Sequence, residues 1–329
     1  MVRWRSVLSG ATLILAACGG GDGSDESSVA TNPPVAVSDD GVAFRFATDE
    51  EAVAVLTAED EYTAEMQPRE AGIRGRDAAI TQFSAVKPLY AGDVLPWTDD
   101  EKAALTVAIE ELMPRLNSID QNLPETVLMV KTGTVVEGGL PHTRSNAIIF
   151  AGGGIPSGGN LKALFLHELH HVMTRANMDL HDDYYKLIGF EPCVLEEPAP
   201  LRAVRLSNPD APTYFHYAPV EVPGGDGVIP FLFASRPYDG AGSLSNYFGF
   251  GLLPVSENNG ACTTEARVPA DLLAPDLVPG FANVIGRNTG YIIHPEETLA
   301  DNFVFWAMGR ESLPNPEIPE AVGAFWTSQ

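Results

Sequence analysis

Basic residues are scarce in this chain. Lysine and arginine total 20 against 44 aspartates and glutamates in 329 residues, a formal net charge of −24. A surface of that sign repels phosphate, which argues against nucleic acid and anionic lipid headgroups as partners. Cysteine is rarer still. Only Cys18, Cys193 and Cys262 occur, and neither Cys193 nor Cys262 has a second Cys or a His at finger-like spacing. No internal repeat is visible. What the chain does have is 45% hydrophobic residues. Its length allows a sizeable core in one large domain or two lobes.

Arg3 and Arg5 precede a short apolar stretch, Val7 to Ala17, too short to span a membrane as a mature helix. It ends in Leu15-Ala16-Ala17-Cys18, which resembles the lipobox of bacterial lipoproteins. The resemblance implies a leader over residues 1–18 and a lipid on Cys18, the first residue of the mature chain. Gly19 stands where an Asp would imply inner-membrane retention, so the resemblance points to the outer membrane, facing the periplasm or the exterior. An ordinary cleaved signal peptide is the alternative. Residues 19–40 are rich in Gly, Ser, Asp and Pro, and read as a flexible linker. In an oxidising compartment the remaining cysteines, Cys193 and Cys262, are expected to pair.

The domain is expected over residues 41–329. A strand is predicted near Val42–Phe46, then a poorly signalled stretch to about Pro96. Thr98 followed by Asp99, Asp100 and Glu101 predicts a helix start with an N-cap and acidic first turn. Thr126–Lys131 and Ser145–Phe150 read as strands. A glycine-rich loop follows, with Asn160 as the expected cap of the next helix. On that helix Leu161, Phe165, Leu169, Val172 and Met173 form one stripe, nearly opposite His167 and His171. A further helix is expected to end at Gly189. Strand-like runs at Tyr214–Val222, Ile229–Ala234 and Ser245–Leu253 precede helices near Glu296–Met308 and Pro319–Trp326.

His167-Glu168-Leu169-His170-His171 fits His-Glu-x-x-His, the most informative string in the chain. Imidazoles at i and i+4 lie one turn apart on one helix face, so both can reach one tetrahedral zinc ion, Zn2+. Glu168 then stands where a general base would take a proton from the attacking water. His170 and His181 read as polar surface or supporting residues. A catalytic zinc needs a third protein ligand and an open position. The metzincin continuation is absent, because Thr174 and Asn177 replace its Gly and His.

The remaining option resembles the gluzincin pattern, in which a Glu from a later helix completes the site. His294-Pro-Glu-Glu-Thr-Leu-Ala-Asp301 is similar to the thermolysin-like segment, with Ala300 where Ser is usual. The resemblance implies zinc ligation by Glu297, and support of His167 by Asp301. Glu191 is the main rival, at the short thermolysin-like spacing but before Pro192, with Glu196, Glu197 or an Asp behind it. Glu297 lies farther from His171 than in the best-known gluzincins. Beside the motif, Tyr185–Phe190 and Asn208–Pro212 add to a resemblance to loosely characterised bacterial gluzincin-like proteins. It implies an α+β, zincin-like metallopeptidase fold, with an N-terminal lobe of mixed sheet and motif helix to about residue 190. A C-terminal lobe with a β-rich insertion would carry the third-ligand helix.

Tyr291 and His294 are the candidates for oxyanion stabilisation, with Tyr214, His216 and Tyr217 as a second cluster. Ser145–Phe150 is the expected edge strand for an extended peptide, and His142 and Arg144 could contact it. These features predict a zinc-dependent metallopeptidase in the cell envelope, acting on peptide or protein. The alternatives are a non-catalytic zincin-like lipoprotein binding a metal, ligand or protein partner, and hydrolysis of a non-peptide amide such as a cell-wall cross-link.

Overall fold

Five short strands make the main sheet: β1 (Ala36–Val37), β2 (Ala43–Phe46), β3 (Thr126–Lys131), β4 (His142–Arg144) and β5 (Ala147–Phe150). They lie in the order β1-β2-β3-β5-β4, with β2, β3 and β5 parallel and the two edges antiparallel. The structure, a computed structural model, describes residues 31–329. Side chains alternate along β3, and here both sets are buried, so both faces must be covered. Val127 and Met129, with Ile148 of β5, pack against Leu105, Ile109 and Leu112 of the helix Asp99–Leu116 and against Phe165 and Leu169 of the motif helix, Gly159–Ala176. Leu128, Val130 and Ile149 face Leu56, Val86 and Tyr90 on the other side. Helices thus sandwich a mixed sheet, in keeping with the α+β class.

Local chemistry accounts for the element ends. Thr98 Oγ1 accepts from Glu101 N while the Glu101 carboxylate accepts from Thr98 N, the capping box that starts Asp99–Leu116. The poorly signalled stretch before Pro96 turns out helical, with Asp49–Thr57, Pro68–Arg74 and Phe83–Ala91. A second capping box, Thr48 with Glu51, opens the first of these, and Pro68 opens the next. Gly189 takes φ 71, where a Cβ would also strike Val284 at 2.3 Å, and it ends the turns after the motif helix as expected.

Several expectations need correction. The linker does not reach Asp40, because Val35 N donates to Phe44 O at 2.8 Å and Ala36–Val37 pairs with Ala43–Phe44. Backbone pairing orders this segment despite its polar composition. Asn160 is not the cap of the motif helix, since Gly158 holds that place without a side-chain bond. Ser145–Phe150 is not the edge strand. Ser145 sits in a turn at φ 52, β5 starts at Ala147 and is paired on both sides, and β4 is the edge. Arg144 is buried and ion-paired to Asp60 at 2.7 Å, so it is committed to the fold.

Beyond the motif helix, Gly227–Ala234 pairs antiparallel with Phe248–Asn258, and Ala261–Thr263 and Val194–Leu195 extend that second sheet. The strand expected over Tyr214–Val222 shrinks to His216–Tyr217, since Pro219 has no N–H to donate. Cys193 and Cys262 are disulfide-bonded where the parallel pair Val194–Leu195 and Ala261–Thr263 meets. The two expected lobes form one compact unit, Asn32–Gln329. Among the described residues, no helix is long and apolar enough to cross a membrane. The leader, Gly19 and Cys18 lie outside the described residues.

Candidate metal centre

The motif helix turns its apolar stripe into the core, with Leu161, Phe165, Leu169, Val172 and Met173 all buried. Its histidines therefore face the helix Pro295–Ala307, which packs against it. That second helix buries Leu299 and Phe303 in the same core, which aims its first turn at the histidines. Pro295 opens it, and the His294 side chain caps it by accepting from Glu296 N.

Glu297 lands between the two imidazoles. Its Oε2 lies 3.1 Å from His167 Nε2 and 3.3 Å from His171 Nε2. The other ring nitrogens are engaged behind the site. His167 Nδ1 donates to Asp301 Oδ1 at 3.1 Å, and His171 Nδ1 donates to Glu296 Oε1 at 2.9 Å. With each Nδ1 held by a carboxylate, Nε2 is the nitrogen that both rings turn toward Glu297, and the one a metal ion would take in place of a proton. His171 Nε2 is buried with no hydrogen bond of its own, an orphaned donor-set atom. Buried His and Glu groups here can hold a metal ion, with His167, His171 and Glu297 within mutual reach.

Two neighbouring groups also bring three such atoms together: His170, His171 and Glu296, and Glu168, His171 and Asp210. In the first, Glu296 is engaged by protein donors, since it also accepts from Thr174 and from Tyr185 Oη at 2.7 Å, while His170 Nδ1 has no hydrogen bond. The second shares His171 but has no other imidazole. The His167 set borders open space: the His167 side chain is 16% exposed and lines a cavity of about 600 Å³ with Ala163, Leu164, Asp301, Phe305 and Arg310, while in the second set Asp210 is half-buried.

Glu168 sits beside the set, 3% exposed, with Oε2 lacking any partner. Burial, then the nearby Asp210 charge, pushes its carboxyl up to about 8. His167 goes the other way from an ordinary buried imidazole. Burial would lower it, but the bonds to Asp301 and Glu297 raise it to about 10. Burial would raise Glu297, yet His171 and His167 bring it well below the usual carboxylate range.

Glu297 thus lies between His167 and His171, and Asp301 beside His167. Glu191 is exposed and backbone-paired with Tyr217, outside the site. Glu196 is exposed, and Glu197 is bound to Arg205 at 2.9 Å. Tyr291 is near, its ring 5.9 Å from that of His167, and the Glu297 charge, with burial, keeps its hydroxyl protonated well above its usual range. His294 is corrected. Its Nδ1 accepts from Glu296 N and its Nε2 donates to Thr213 O at 3.2 Å, so no ring atom remains for an oxyanion. Tyr214 stacks on Phe231, and His216 pairs with Asp182 at 2.8 Å, away from the metal set. His170 is not surface: it is fully buried against Tyr184 Oη at 2.8 Å.

Four participants escaped the sequence reading. Glu296 orients His171 from the position just before Glu297. Asn208 Nδ2 donates to Glu297 Oε1, leaving Oε2 toward the imidazoles. Asp210 accepts from Thr143 N at 2.7 Å and stands beside Glu168. Tyr185 holds Glu296. Asn208, Asp210 and Tyr185 lie in the two short runs that seemed only to mark a resemblance.

The 207–210 segment is itself anchored. Ser207 N donates to Glu70 Oε1 at 2.8 Å, and Arg74 donates to Ser207 O at 2.6 Å. Arg175 donates to Pro209 O at 3.0 Å. No family model, curated protein or solved structure matches this chain.

Proposed function

We propose that the chain is a zinc-dependent metallopeptidase of gluzincin type, with a zincin-like arrangement of motif helix and carboxylate helix. The observation that carries it is Glu297 Oε2 lying 3.1 and 3.3 Å from the two Nε2 atoms beside an unpartnered, buried Glu168. Tetrahedral zinc with bonds of about 2.0–2.1 Å separates its ligand atoms by roughly 3.3–3.4 Å, which the two Glu297–imidazole separations approach. His167, His171 and Glu297 would hold the ion. When bound, zinc polarises a carbonyl and makes water a nucleophile at neutral pH.

The protein's own groups do the rest. Glu168 takes the proton of the attacking water and returns it to the leaving amine. Its Oε2 is buried without a partner, free to accept that proton and to give it back. Tyr291, held protonated, donates to the developing oxyanion. Asp301 and Glu296 hold both imidazoles with Nε2 turned toward the ion, and Asn208 restricts Glu297 to one oxygen.

The test is cleavage of a diverse peptide library by zinc-loaded protein. Glu168→Gln is expected to keep its zinc and lose about 10²–10⁴-fold in rate. No cleavage by the zinc-loaded wild type would sink the peptidase reading and leave a non-catalytic metal- or partner-binding frame.

The lipobox resemblance further supports a place in the cell envelope, held to the outer membrane through lipid on Cys18. The Cys193–Cys262 disulfide suits such an oxidising compartment. Cys18→Ser is expected to move the protein from the membrane fraction to the soluble one, and unchanged fractionation overturns the anchor.

A further inference from the structure

A second cavity, of about 200 Å³, adjoins the metal centre. Asn208, Asp210 and Tyr291, which border the metal set, form part of its wall. Most of the rest is apolar, from Leu206, Leu232, Leu244, Phe250 and Ile293, with Arg74, Glu137, His142 and Ser207 as its further polar residues. A cavity of about 150 Å³ with apolar walls takes up benzene, so this one has room for a phenyl ring and its methylene. Its mouth is apolar too. Leu140, Phe248 and Tyr291 are 40%, 41% and 42% exposed, three large hydrophobic residues on one rim. A cluster of that kind beside a reactive site favours cover by an apolar ligand group.

Charge at the back of the cavity does not ask for a charged ligand. Arg74 lines it, but that guanidinium is bound to Glu70 at 2.8 Å, to Glu137, and to Ser207 O. Glu137 also accepts from Tyr62 at 2.6 Å and Tyr90 at 2.8 Å. Both charges are therefore satisfied within the protein. What remains for an occupant is mainly apolar wall, with the neutral His142 ring, its Nε2 without a hydrogen bond, as the one uncharged polar group left over.

We infer that this cavity is the specificity pocket of the site, taking one uncharged aromatic or large aliphatic side chain next to the group held at the metal. The inference rests on the peptidase reading for its substrate, but the pocket has a readout of its own. Two ligands that share a metal-binding head test it: 3-phenylpropanohydroxamate, with a phenyl arm, and acetohydroxamate, without one. Calorimetry on the zinc-loaded protein is expected to show the first binding at least about tenfold tighter. Leu140→Trp, a change on the exposed rim that spares the core, is expected to abolish that ratio while zinc content and acetohydroxamate affinity stay unchanged. In a peptide library the wild type should then prefer Phe, Leu or Met at one position beside the cut, and Leu140→Trp should shift that position to Ala or Ser. Equal binding of the two hydroxamates, or an unaltered ratio in Leu140→Trp, overturns the pocket. A preserved ratio with no peptide cleaved upholds the pocket and rejects the peptidase reading instead.

Discussion

Asn208→Ala removes the hydrogen bond that holds the outer oxygen of Glu297. The acceptor is an ionised carboxylate, 1% exposed, so the bond is of the charge-assisted kind. Such bonds contribute about 1.5–3 kcal/mol. If that stabilisation serves metal ligation, zinc should bind roughly 10- to 150-fold more weakly, at about 1.4 kcal/mol per tenfold. The same range follows from the usual effect of losing a partner that orients a metal ligand. Zinc affinity is measured by competition with a chromophoric chelator at fixed pH, alongside urea unfolding of the metal-free protein. The metal-free fold should lose at most about 1 kcal/mol, because Asn208 is only half-buried and Ser207 still anchors the segment. A zinc Kd within twofold of wild type would refute the assignment of Asn208 to the site. An equal loss in fold stability and affinity would make it a general scaffold residue.

Other perturbations probe the frame. Arg74→Met leaves Glu70 and Glu137 as buried carboxylates without their cation, at a cost of about 3–5 kcal/mol in urea unfolding; a loss under 1 kcal/mol contradicts the ion cluster. Replacing Cys193 and Cys262 by Ser opens a loop of 69 residues and should cost about 4 kcal/mol by the chain-entropy relation. Stability equal to wild type under non-reducing conditions would show that the bond does not form. His142 is lowered from 6.5 to about 3 by burial, with Arg144, Arg74 and Arg175 adding to it. The unfolded chain therefore takes up its proton first as pH falls, and stability is full above about 6.5 and lost progressively toward 3. At pH 5 this amounts to about 2 kcal/mol, so His142→Gln should flatten the stability profile between neutrality and that pH; parallel profiles would rule it out.

The sequence made the motif helix and its two neighbours legible because each rests on local signals. The i, i+4 histidines, the opposite apolar stripe, the Thr98 box and Pro295 all act within one or two turns. Glu297 and Asp301 were legible as a pair one turn apart in a segment similar to a known pattern. Glu296 was not, since two adjacent acids in a first turn look alike and only packing shows that one faces His171 and the other the metal set. Asn208 and Asp210 reach the site through a loop fixed by Glu70 and Arg74, residues far away in the chain, and no local pattern encodes that contact. The edge strand was misplaced for a similar reason: a left-handed turn at Ser145 is a single backbone angle that the run Ala147–Phe150 does not announce. His294 misled because a histidine before Pro-Glu-Glu can cap a helix as readily as it can face a substrate.

The central claim concerns where the metal binds, and anomalous diffraction at the zinc edge from zinc-soaked crystals tests it most directly. A single peak is expected within bonding distance of His167 Nε2, His171 Nε2 and one oxygen of Glu297, and it should vanish in Glu297→Ala but not in Glu191→Ala. A peak beside His170 and Glu296, a peak between Glu168 and Asp210, or full occupancy in Glu297→Ala would contradict the account.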